Sequence, residues 1–401
     1  MPKSIASRYF TGLSRNTFLL AFASLFADIS TEMLYPVLPV FLTQTLHASG
    51  SIVGLVEGIA QATQNIIQGF SGWLSDRLKK RKSIALAGYA LAALAKPLIG
   101  FSTAWPGVLG ARFLDRLGSG TRSAPRDALV ASSAAEKHRG KAFGLEGIGD
   151  NLGACLGPLL TVFLIGYFAV GIRSIFFLAV IPGLLAFFTV MLVSERPTSV
   201  HAKSTLDVRL GRFPKAYWRY LLVTALFGIG NSSNSFLILQ ATATGISLSH
   251  TILIYAGFNL AAAVISYPAG SLSDRKGRKF VLLGSFLIFF VSYTGFALAQ
   301  SAVLIAALFI FYGLFQGIFR AVGKALAADF VPEELRASGI GWYNTAVGLT
   351  GLVASIVAGL LWDHVGHAAV FIYGAASAVA GSISLLILVS ENPNTRDAAA
   401  G

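Results

Sequence analysis

Gly72-Trp-Leu-Ser-Asp76-Arg77-Leu-Lys-Lys80-Arg81-Lys82 returns 198 residues later as Gly270-Ser-Leu-Ser-Asp274-Arg275-Lys-Gly277-Arg278-Lys279. A chain of 401 residues that repeats a phrase at half its length is predicted to contain two copies of one unit. Both copies begin with glycine, have Asp-Arg as their fifth and sixth residues, and end in several basic residues. The function is therefore expected to depend on how the two copies face each other.

The composition indicates a membrane protein. Hydrophobic residues make up 55% of the chain, charged residues only 12%, and the mean hydropathy is +0.69. Apolar stretches of about 20 residues, the length that crosses ~30 Å of hydrocarbon, recur along the chain. We predict an all-α polytopic protein with twelve transmembrane helices in two pseudo-symmetric six-helix bundles. One of these spans is predicted near 217–246.

A polar segment divides the two predicted bundles. The domain prediction is an N-terminal six-helix bundle at 1–194, a cytoplasmic linker at 195–216 and a C-terminal six-helix bundle at 217–401. A duplicated six-helix unit is expected to place a binding site between its halves, near the midplane of the bilayer. Rocking of one half against the other can then expose that site to each side in turn.

The distribution of positive charge predicts the orientation. The formal net charge is +13, and 23 of the 31 lysines and arginines fall in segments on one predicted side, whereas Arg173 alone falls in the loops of the other. This is the asymmetry of the positive-inside rule. It predicts a multi-pass protein of the cell inner membrane, with both termini cytoplasmic, a lipid bilayer around it and no nucleic-acid partner. A monomer is expected, and the single cysteine, Cys155, excludes an intrachain disulfide.

The repeated phrase also carries a family resemblance. The Gly-x-Leu-x-Asp-Arg-x-x-Arg-Lys pattern between the second and third helices of each half resembles the hallmark motif of the major facilitator superfamily, and the likeness covers essentially the whole chain. The N-terminal copy departs from the pattern, because Lys79 stands where Gly277 stands in the other copy. The resemblance implies the twelve-helix fold of that superfamily and transport of a small molecule by alternating access.

A second pattern in the fifth helix favours export. Gly144, Gly153 and Gly157-Pro158 have the spacing of the antiporter signature of exporters in the superfamily, although Thr161-Val162 replaces its glycine pair. Ordinary packing of small residues is the alternative interpretation, since such residues let helices approach closely. Pro36 and Pro39 resemble a proline motif of multidrug exporters. We therefore expect an antiporter-like exporter of the drug:proton type.

The repeated motif also predicts gates. A carboxylate that faces a helix N-terminus is stabilised by the helix dipole, so the aspartates of the two copies can latch neighbouring helices together. The basic residues beside them can equally serve only to fix the topology. The residues assigned to gating are Asp76, Arg77, Asp127, Asp274, Arg275, Gly153, Gly157 and Pro158.

Charged residues inside the predicted helices suggest proton coupling. An ionisable side chain at bilayer depth costs about 2.5–3.5 kcal/mol by insertion scales and should face a cavity or a partner. Seven acids and seven bases lie there, and all seven acids are in the N-terminal half. Arg116 best matches an arginine that assists proton transfer in the superfamily. The residues assigned to proton coupling are Asp28, Glu32, Arg112, Arg116, Asp115, Glu146 and Asp150, although a structural ion-pair network explains any one of them equally well.

A basic cluster from both halves suggests the substrate. Two cations on the fourth helix and two on the tenth occupy near-equivalent positions and are predicted to form a cationic mouth for an anionic solute. In the alternative, Asp127 and Glu146 neutralise the N-terminal pair and leave an apolar cavity for a lipophilic drug. The residues assigned to substrate binding are Arg122, Arg126, Arg320, Lys324, Tyr35, Asn231, Asn234, Asn259 and Asn344.

Other classes of function fit less well. The chain has no HExxH, GxSxG or Walker motif and no long extramembrane domain, so an enzyme is not expected. No cofactor and no resident metal site are predicted. A proton-coupled importer remains the nearest alternative, a divalent metal exporter using Asp28 and Glu32 is a weaker one, and a transporter-like membrane sensor is more distant.

Overall fold

The computed structural model describes residues 13–135, 138–195, 212–332 and 335–390. Within these ranges the chain is helical and contains no β-strand. Several expectations fall outside them: residues 196–211 of the predicted linker, both termini and the side chain of Asp76. The exact domain boundaries therefore stay a prediction.

Six helical units form the N-terminal half. They are α1 (Arg15–Leu34, continued by Leu38–Val40 and Phe41–Thr45), α2 (Gly50–Leu78), α3 (Arg81–Phe101), α4 (Trp105–Ser132), α5 (Arg139–Phe168) and α6 (Ile172–Leu178 and Val180–Met191). Six more form the C-terminal half. They are α7 (Lys215–Gly228 and Ser235–Ala243), α8 (Leu248–Lys276), α9 (Arg278–Leu298), α10 (Ala302–Asp329), α11 (Arg336–His364) and α12 (His367–Leu388).

Nine of the helical units in the described ranges are long and apolar enough to cross a membrane. The other three, α2, α4 and α7, coincide with predicted spans but do not meet that criterion. The α4 helix carries Arg112, Asp115, Arg116, Arg122 and Arg126 within its length, and α7 is interrupted. The protein is thus an all-α membrane protein. That α2, α4 and α7 also cross the membrane, which would make twelve spans, stays a prediction.

The span predicted near 217–246 consists of two helical segments. The helix ends at Gly228 and resumes at Ser235, because Gly230 and Asn231 are poor helix formers and the backbone between the segments finds other partners. The backbone N–H of Ser233 donates to the Ser355 hydroxyl at 3.1 Å. Non-helical backbone at membrane depth is tolerated where protein buries it in this way.

Close helix contacts build each half. In the N-terminal half α1 packs along α5, and α4 packs against both α2 and α3. A Cβ at Gly153 would lie 2.6 Å from the carbonyl oxygen of Leu25, and one at Gly157 would lie 2.9 Å from that of Ile29. The glycines of the antiporter-like pattern therefore hold α5 against α1 inside one half.

The helix before each loop motif ends at a residue with a positive φ angle. Gly277 has φ +93° and Lys79 has φ +54°. A positive φ is easy for glycine, whereas the left-handed conformation costs other residues roughly 1–2 kcal/mol. The two copies nevertheless make different turns, because ψ is 31° at Lys79, which is left-handed helical, and 137° at Gly277.

The two halves meet mainly through α2 with α11 and α5 with α8. We call the side where α2 ends and α3 begins the basic face, and the other side the opposite face. Contact is tight towards the opposite face, where a Cβ at Gly359 would lie 2.6 Å from the carbonyl oxygen of Gly50. Towards the basic face, the Cβ positions of Gly144 in α5 and Gly270 in α8 meet no heavy atom within 4 Å. The halves therefore pack less tightly there, although Gly69 of α2 still approaches Gly341 of α11, and we call the region between the halves on this side the cleft.

Candidate functional site

The first charge network is buried inside the N-terminal half and is centred on Arg112. The guanidinium group binds Glu57 through Nε at 2.9 Å and Nη2 at 3.2 Å, and it donates to Asp115 through Nη1 at 2.9 Å. Arg112 and Asp115 are fully buried, and Glu57 is nearly so. Since both acids bind one arginine in a buried site, this cluster is an ion-pair network inside the N-terminal half.

Arg116 continues that network towards the cleft. Its Nε lies 3.5 Å from Asp115, and its Nη1 donates to the amide oxygen of Gln64 at 2.9 Å. Lys96 approaches Asp115 from α3 at 3.9 Å. The arginine predicted to assist proton transfer is therefore held between a carboxylate and an amide, on the helix that also carries the rest of the network.

The second network surrounds Arg126 and contains an excess of acid. The Nη1 atom of Arg126 lies 3.0 Å from Glu146 and 3.4 Å from Asp150, and its Nη2 atom lies 3.0 Å from Asp127. Ser24 donates to Glu146 at 2.8 Å. Asp127 and Asp150 keep exposed fractions of 41% and 34%, so this network borders the open cleft.

Arg122 lies apart from both networks and is 7% exposed. Its Nη2 is 3.8 Å from Asp28, and its guanidinium group lies over the Tyr89 ring at 4.6 Å. In this structure Arg122 and Arg126 have partners in their own bundle, so a cationic mouth shared with Arg320 and Lys324 stays a prediction. The reason is local: α1, α3 and α5 supply carboxylate and aromatic partners that draw both arginines into their own bundle.

Glu32 occupies the contact between the two halves. Its carboxylate accepts from the Tyr255 hydroxyl at 3.1 Å and from the Asn259 amide at 3.4 Å, both on α8. Within the described part of the chain, no basic side chain comes within 4.0 Å of it. Asn259 also donates to the carbonyl oxygen of Ala154 at 2.9 Å. A carboxylate without an ion pair thus joins the halves near the middle of the cleft.

Two cations of α10 remain without an acid partner. Arg320 and Lys324 are exposed, are spaced i, i+4 on one helix face, and form no ion pair among the residues that the structure describes. The C-terminal wall of the cleft is therefore basic where the N-terminal wall is acidic.

The predicted polar and aromatic substrate residues fall into three places. Asn231 and Asn234 lie at the break in α7 and accept from the Tyr312 hydroxyl at 3.4 and 3.0 Å. Tyr35 stacks on Tyr255 at a ring separation of 5.5 Å, beside Glu32. Asn344 lies half-buried on α11. Sequence reasoning did not single out Tyr255, although its spacing of four residues from Asn259 places both on one face of α8.

The predicted gating residues near the basic face form contacts within their own half. Arg278 binds Asp329 at 2.7 Å and lies 3.7 Å from Asp274, which is 69% exposed. Arg77 lies over the Trp73 ring at 5.2 Å. Arg275 is exposed. These contacts are consistent with a cleft that is open on this face.

A gate on the opposite face was not expected from the sequence. Asp363 near the end of α11 accepts from the backbone N–H groups of Gly50 and Ser51 at 2.8 Å each, and from the Ser51 hydroxyl. These are the orphan donors at the N-terminus of α2, in the other half of the protein. A side chain from one half therefore caps a helix of the other and holds the opposite face closed.

Replacing Asp363 with alanine is expected to open the opposite face. Losing a helix cap costs about 0.5–2 kcal/mol, so the ratio of closed to open molecules should fall about two- to thirtyfold. Spin labels at positions 44 and 365, in a Cys155→Ala background, should show a larger population of molecules in which the two labels are far apart. Asp363→Asn should open the face less than Asp363→Ala, because asparagine keeps one of the two acceptor oxygens that bind Gly50 and Ser51; an unchanged distribution in Asp363→Ala would contradict the gate.

No group of three or more histidine, cysteine, aspartate or glutamate side chains within the described ranges is arranged to hold a metal ion. The geometry therefore consists of a cleft between two helix bundles, closed on one face, with an unpaired carboxylate at its centre. This is the architecture of a membrane transporter.

Comparison with known proteins identifies the family. The family model of the Major Facilitator Superfamily matches residues 20–237 and 220–401. An uncharacterized MFS-type transporter, MJ1317, of Methanocaldococcus jannaschii is 35% identical over 382 residues, which cover 94% of this chain and 95% of that protein. The chain therefore belongs to the major facilitator superfamily.

Two further proteins are similar to it. A probable 4-methylmuconolactone transporter of Cupriavidus pinatubonensis is 26% identical over 370 residues, covering 88% of this chain and 85% of that protein. The crystal structure of the nucleoside transporter NupG superimposes with a TM-score of 0.77 at 14% identity, covering 94% of this chain and all of that one. The structural likeness establishes the transporter fold, and the protein is a membrane transporter of small molecules.

Proposed function

We propose that this transporter is a proton-coupled antiporter that exports a small organic solute by alternating access. The observation that carries the proposal is Glu32, a carboxylate without an ion pair at the contact between the halves. A carboxyl group favours its neutral form when it is desolvated and its ionised form beside water or a cation. A group that joins the moving halves is therefore placed to bind a proton in one state and release it in the other.

The surrounding residues supply the remaining parts of the cycle. Asp28 and Asp150 border the same cleft, with exposed fractions of 29% and 34%, and can exchange protons with water there. Arg112, Asp115 and Arg116 stay paired beneath them and position α4. When the halves rock, the contacts of Glu32 with Tyr255 and Asn259 must break, because those partners belong to the other half.

Arg320 and Lys324 make an anionic solute the favoured substrate. Both lie on the cleft wall without an acid partner, so a carboxylate or similar anion can bind them without displacing an existing ion pair. Asn231, Asn234 and Asn344 add hydrogen-bonding capacity on the same half. A lipophilic drug remains the second candidate, because the paired state of Arg126 with Glu146 leaves fewer free charges on the N-terminal wall.

Replacing Arg320 with glutamine is expected to raise the KM for an anionic solute by about tenfold or more. A hydrogen bond to a charged group contributes about 1.5–3 kcal/mol, and glutamine removes that charge. Lys324→Gln should act in the same direction. Uptake into everted vesicles measures both, and Lys276→Gln, an exposed lysine outside the cleft, serves as the control; an unchanged KM in both variants would exclude these cations from the substrate site.

The topology belongs to the same proposal. The basic face is the cytoplasmic one, with both termini and the 195–216 linker on that side, by the positive-inside rule. The protein then works as a monomer in the cell inner membrane, with its cleft open to the cytoplasm in this structure. The latching of Asp76 and Asp274 is assigned to the state in which this face is closed.

One experiment separates export from its alternatives. The purified protein is placed in liposomes with an internal pH dye and challenged with anionic metabolites and cationic drugs under an imposed proton gradient. Proton movement opposite to the solute supports antiport. Movement of both in the same direction would make the protein an importer by symport, flux of a divalent cation would favour metal export, and solute binding without any flux would favour a sensor.

A further inference from the structure

The ends of α4 and α10 near the basic face carry opposite charges at equivalent positions. Asp127 and Lys324 are 197 residues apart, which is also the offset between Gly120 and Gly317. Each of the two charged residues lies five residues before the last residue of its helix. The halves of this fold are related by an axis along the membrane normal, so equivalent positions face each other across that axis. Asp127 and Lys324 therefore lie at the same depth, on opposite walls of the cleft.

Equivalent packing orients the two helices. A Cβ at Gly120 would lie 2.8 Å from a backbone carbonyl oxygen of α2, and a Cβ at Gly317 would overlap a backbone carbonyl oxygen of α8. Asp127 and Lys324 each follow their glycine by seven residues, which is about two helical turns and the same helix face. The side chain of Asp127 is 41% exposed, and Lys324 is exposed. The two halves thus present an acid and a base from matching positions.

The N-terminal wall carries more acid than the cation beside it can offset. Asp127, Glu146 and Asp150 lie 3.0, 3.0 and 3.4 Å from Arg126, so three carboxyl groups share one guanidinium group. A guanidinium group carries a single positive charge. Asp127 and Asp150 are the exposed members of this group. They are therefore available to a second cation that enters from the cleft.

The C-terminal wall carries the opposite excess. Arg320 and Lys324 form no ion pair among the residues that the structure describes. They are one turn apart on α10, so a single carboxylate can bind both side chains. The acid at the end of the same helix, Asp329, is already bound by Arg278 at 2.7 Å. The free cations of this wall are therefore available to an anionic group.

A solute with one charge matches only one of these walls. An anion bound at Arg320 and Lys324 would face the exposed acids opposite, and a cation bound at Asp127 would face the free cations of α10. Like charges placed opposite each other disfavour a ligand, whereas complementary charges also fix its orientation. A solute that carries both charges satisfies both walls at once.

We propose that the transported solute is a zwitterion. Its carboxylate or similar anionic group binds Arg320 and Lys324, and its ammonium group binds Asp127 and Asp150. This assignment rests on the proposed function, because it names the class of solute that the same cleft carries. Glu32 is bound to α8 and takes no part in this recognition, so its carboxyl group stays free for the proton.

The test measures ligand binding by the purified protein in detergent, as the rise of the unfolding midpoint with ligand concentration. The probes are glycine, 4-aminobutyrate, leucine and tryptophan. Each is compared with its methyl ester, which is a cation, and with its N-acetyl derivative, which is an anion. We expect at least one of the four to bind about tenfold or more tightly than both of its derivatives, since each derivative loses one charged contact. If none of the four binds more tightly than both derivatives, the proposal is overturned.

Two substitutions assign the two charges to their walls. Asp127→Asn should weaken binding of the zwitterion and its methyl ester but not of the N-acetyl derivative. Lys324→Gln should weaken binding of the zwitterion and the N-acetyl derivative but not of the methyl ester. Glu195→Gln and Lys276→Gln, both outside the cleft, are the matched controls. If the two cleft variants change all three ligands of a series alike, the opposite charges serve only to attract the halves to each other, and the proposal fails.

These readouts are separate from those that test proton-coupled export. A zwitterion that binds as expected but moves in liposomes without opposite proton movement would overturn antiport and leave the solute class standing. Antiport of a solute with a single charge, together with no preference for any zwitterion, would overturn the solute class and leave antiport standing.

Discussion

Replacing Glu32 with glutamine is expected to abolish solute-driven proton movement in liposomes while leaving solute counterflow in place. Glutamine keeps the size of the side chain and a hydrogen-bond acceptor for Tyr255 and Asn259, but it cannot bind or release a proton. Exchange of labelled for unlabelled solute needs rocking of the halves and no net proton transfer. Loss of proton movement with retained counterflow would therefore show that the variant still folds and binds solute but no longer couples transport to protons.

The matched control for this prediction is Glu195→Gln. Glu195 is exposed, and its carboxylate accepts from the backbone N–H groups of Arg81 and Lys82 at 2.9 and 3.2 Å, outside the cleft. The same change of chemistry there should leave proton movement intact. If Glu32→Gln retains proton movement at the wild-type rate, coupling must be assigned to Asp28 or Asp150, for which Asp28→Asn and Asp150→Asn provide the next comparison.

Replacing Arg112 with methionine is expected to destabilise the protein by about 3–5 kcal/mol, because the change leaves an uncompensated buried charge. The substitution removes the cation shared by Glu57 and Asp115. Two buried carboxylates then remain, each of which lies 2.9 Å from a guanidinium nitrogen of Arg112 in the wild type. Thermal unfolding in detergent measures the effect as a large fall in the midpoint.

Two further variants make this second prediction specific. Arg320→Met removes an exposed arginine without an ion pair in the described structure, so its midpoint should stay close to that of the wild type. Adding Glu57→Gln and Asp115→Asn to Arg112→Met should recover part of the loss, because neutral side chains are cheaper to bury. A midpoint for Arg112→Met equal to that of Arg320→Met would show that the network contributes little.

The sequence predicted the fold and the family well, because both depend on patterns that are local or repeated. The copies at 72–82 and 270–279 revealed the duplication, and the hydropathy indicated the membrane. The glycine spacing favoured an antiporter signature over ordinary packing; Gly153 and Gly157 do approach α1 closely, and their gating role stays a prediction. The i, i+4 spacing also placed acids and bases on shared helix faces, and these do form networks in the N-terminal half.

The choice of partner within those networks was not predictable. Arg126 binds Glu146 and Asp150 across two helices, and Glu32 binds Tyr255, which is 223 residues away. Such pairs depend on the rotation of each helix about its axis and on a tilt of a few degrees. A single sequence contains neither quantity.

The sequence by itself determined that the protein is a duplicated helical membrane transporter, with the acids of its predicted helix interiors all in the N-terminal half. The tertiary structure decided which charges remain unpaired: it buried Arg122 and Arg126 in the N-terminal bundle, left Glu32 between the halves and placed Asp363 on the N-terminus of α2. It also decided which face is closed. The physical reason is that hydrophobicity and helix period act along the chain, whereas ion pairing and gating are set by distances of a few ångströms between segments far apart in sequence.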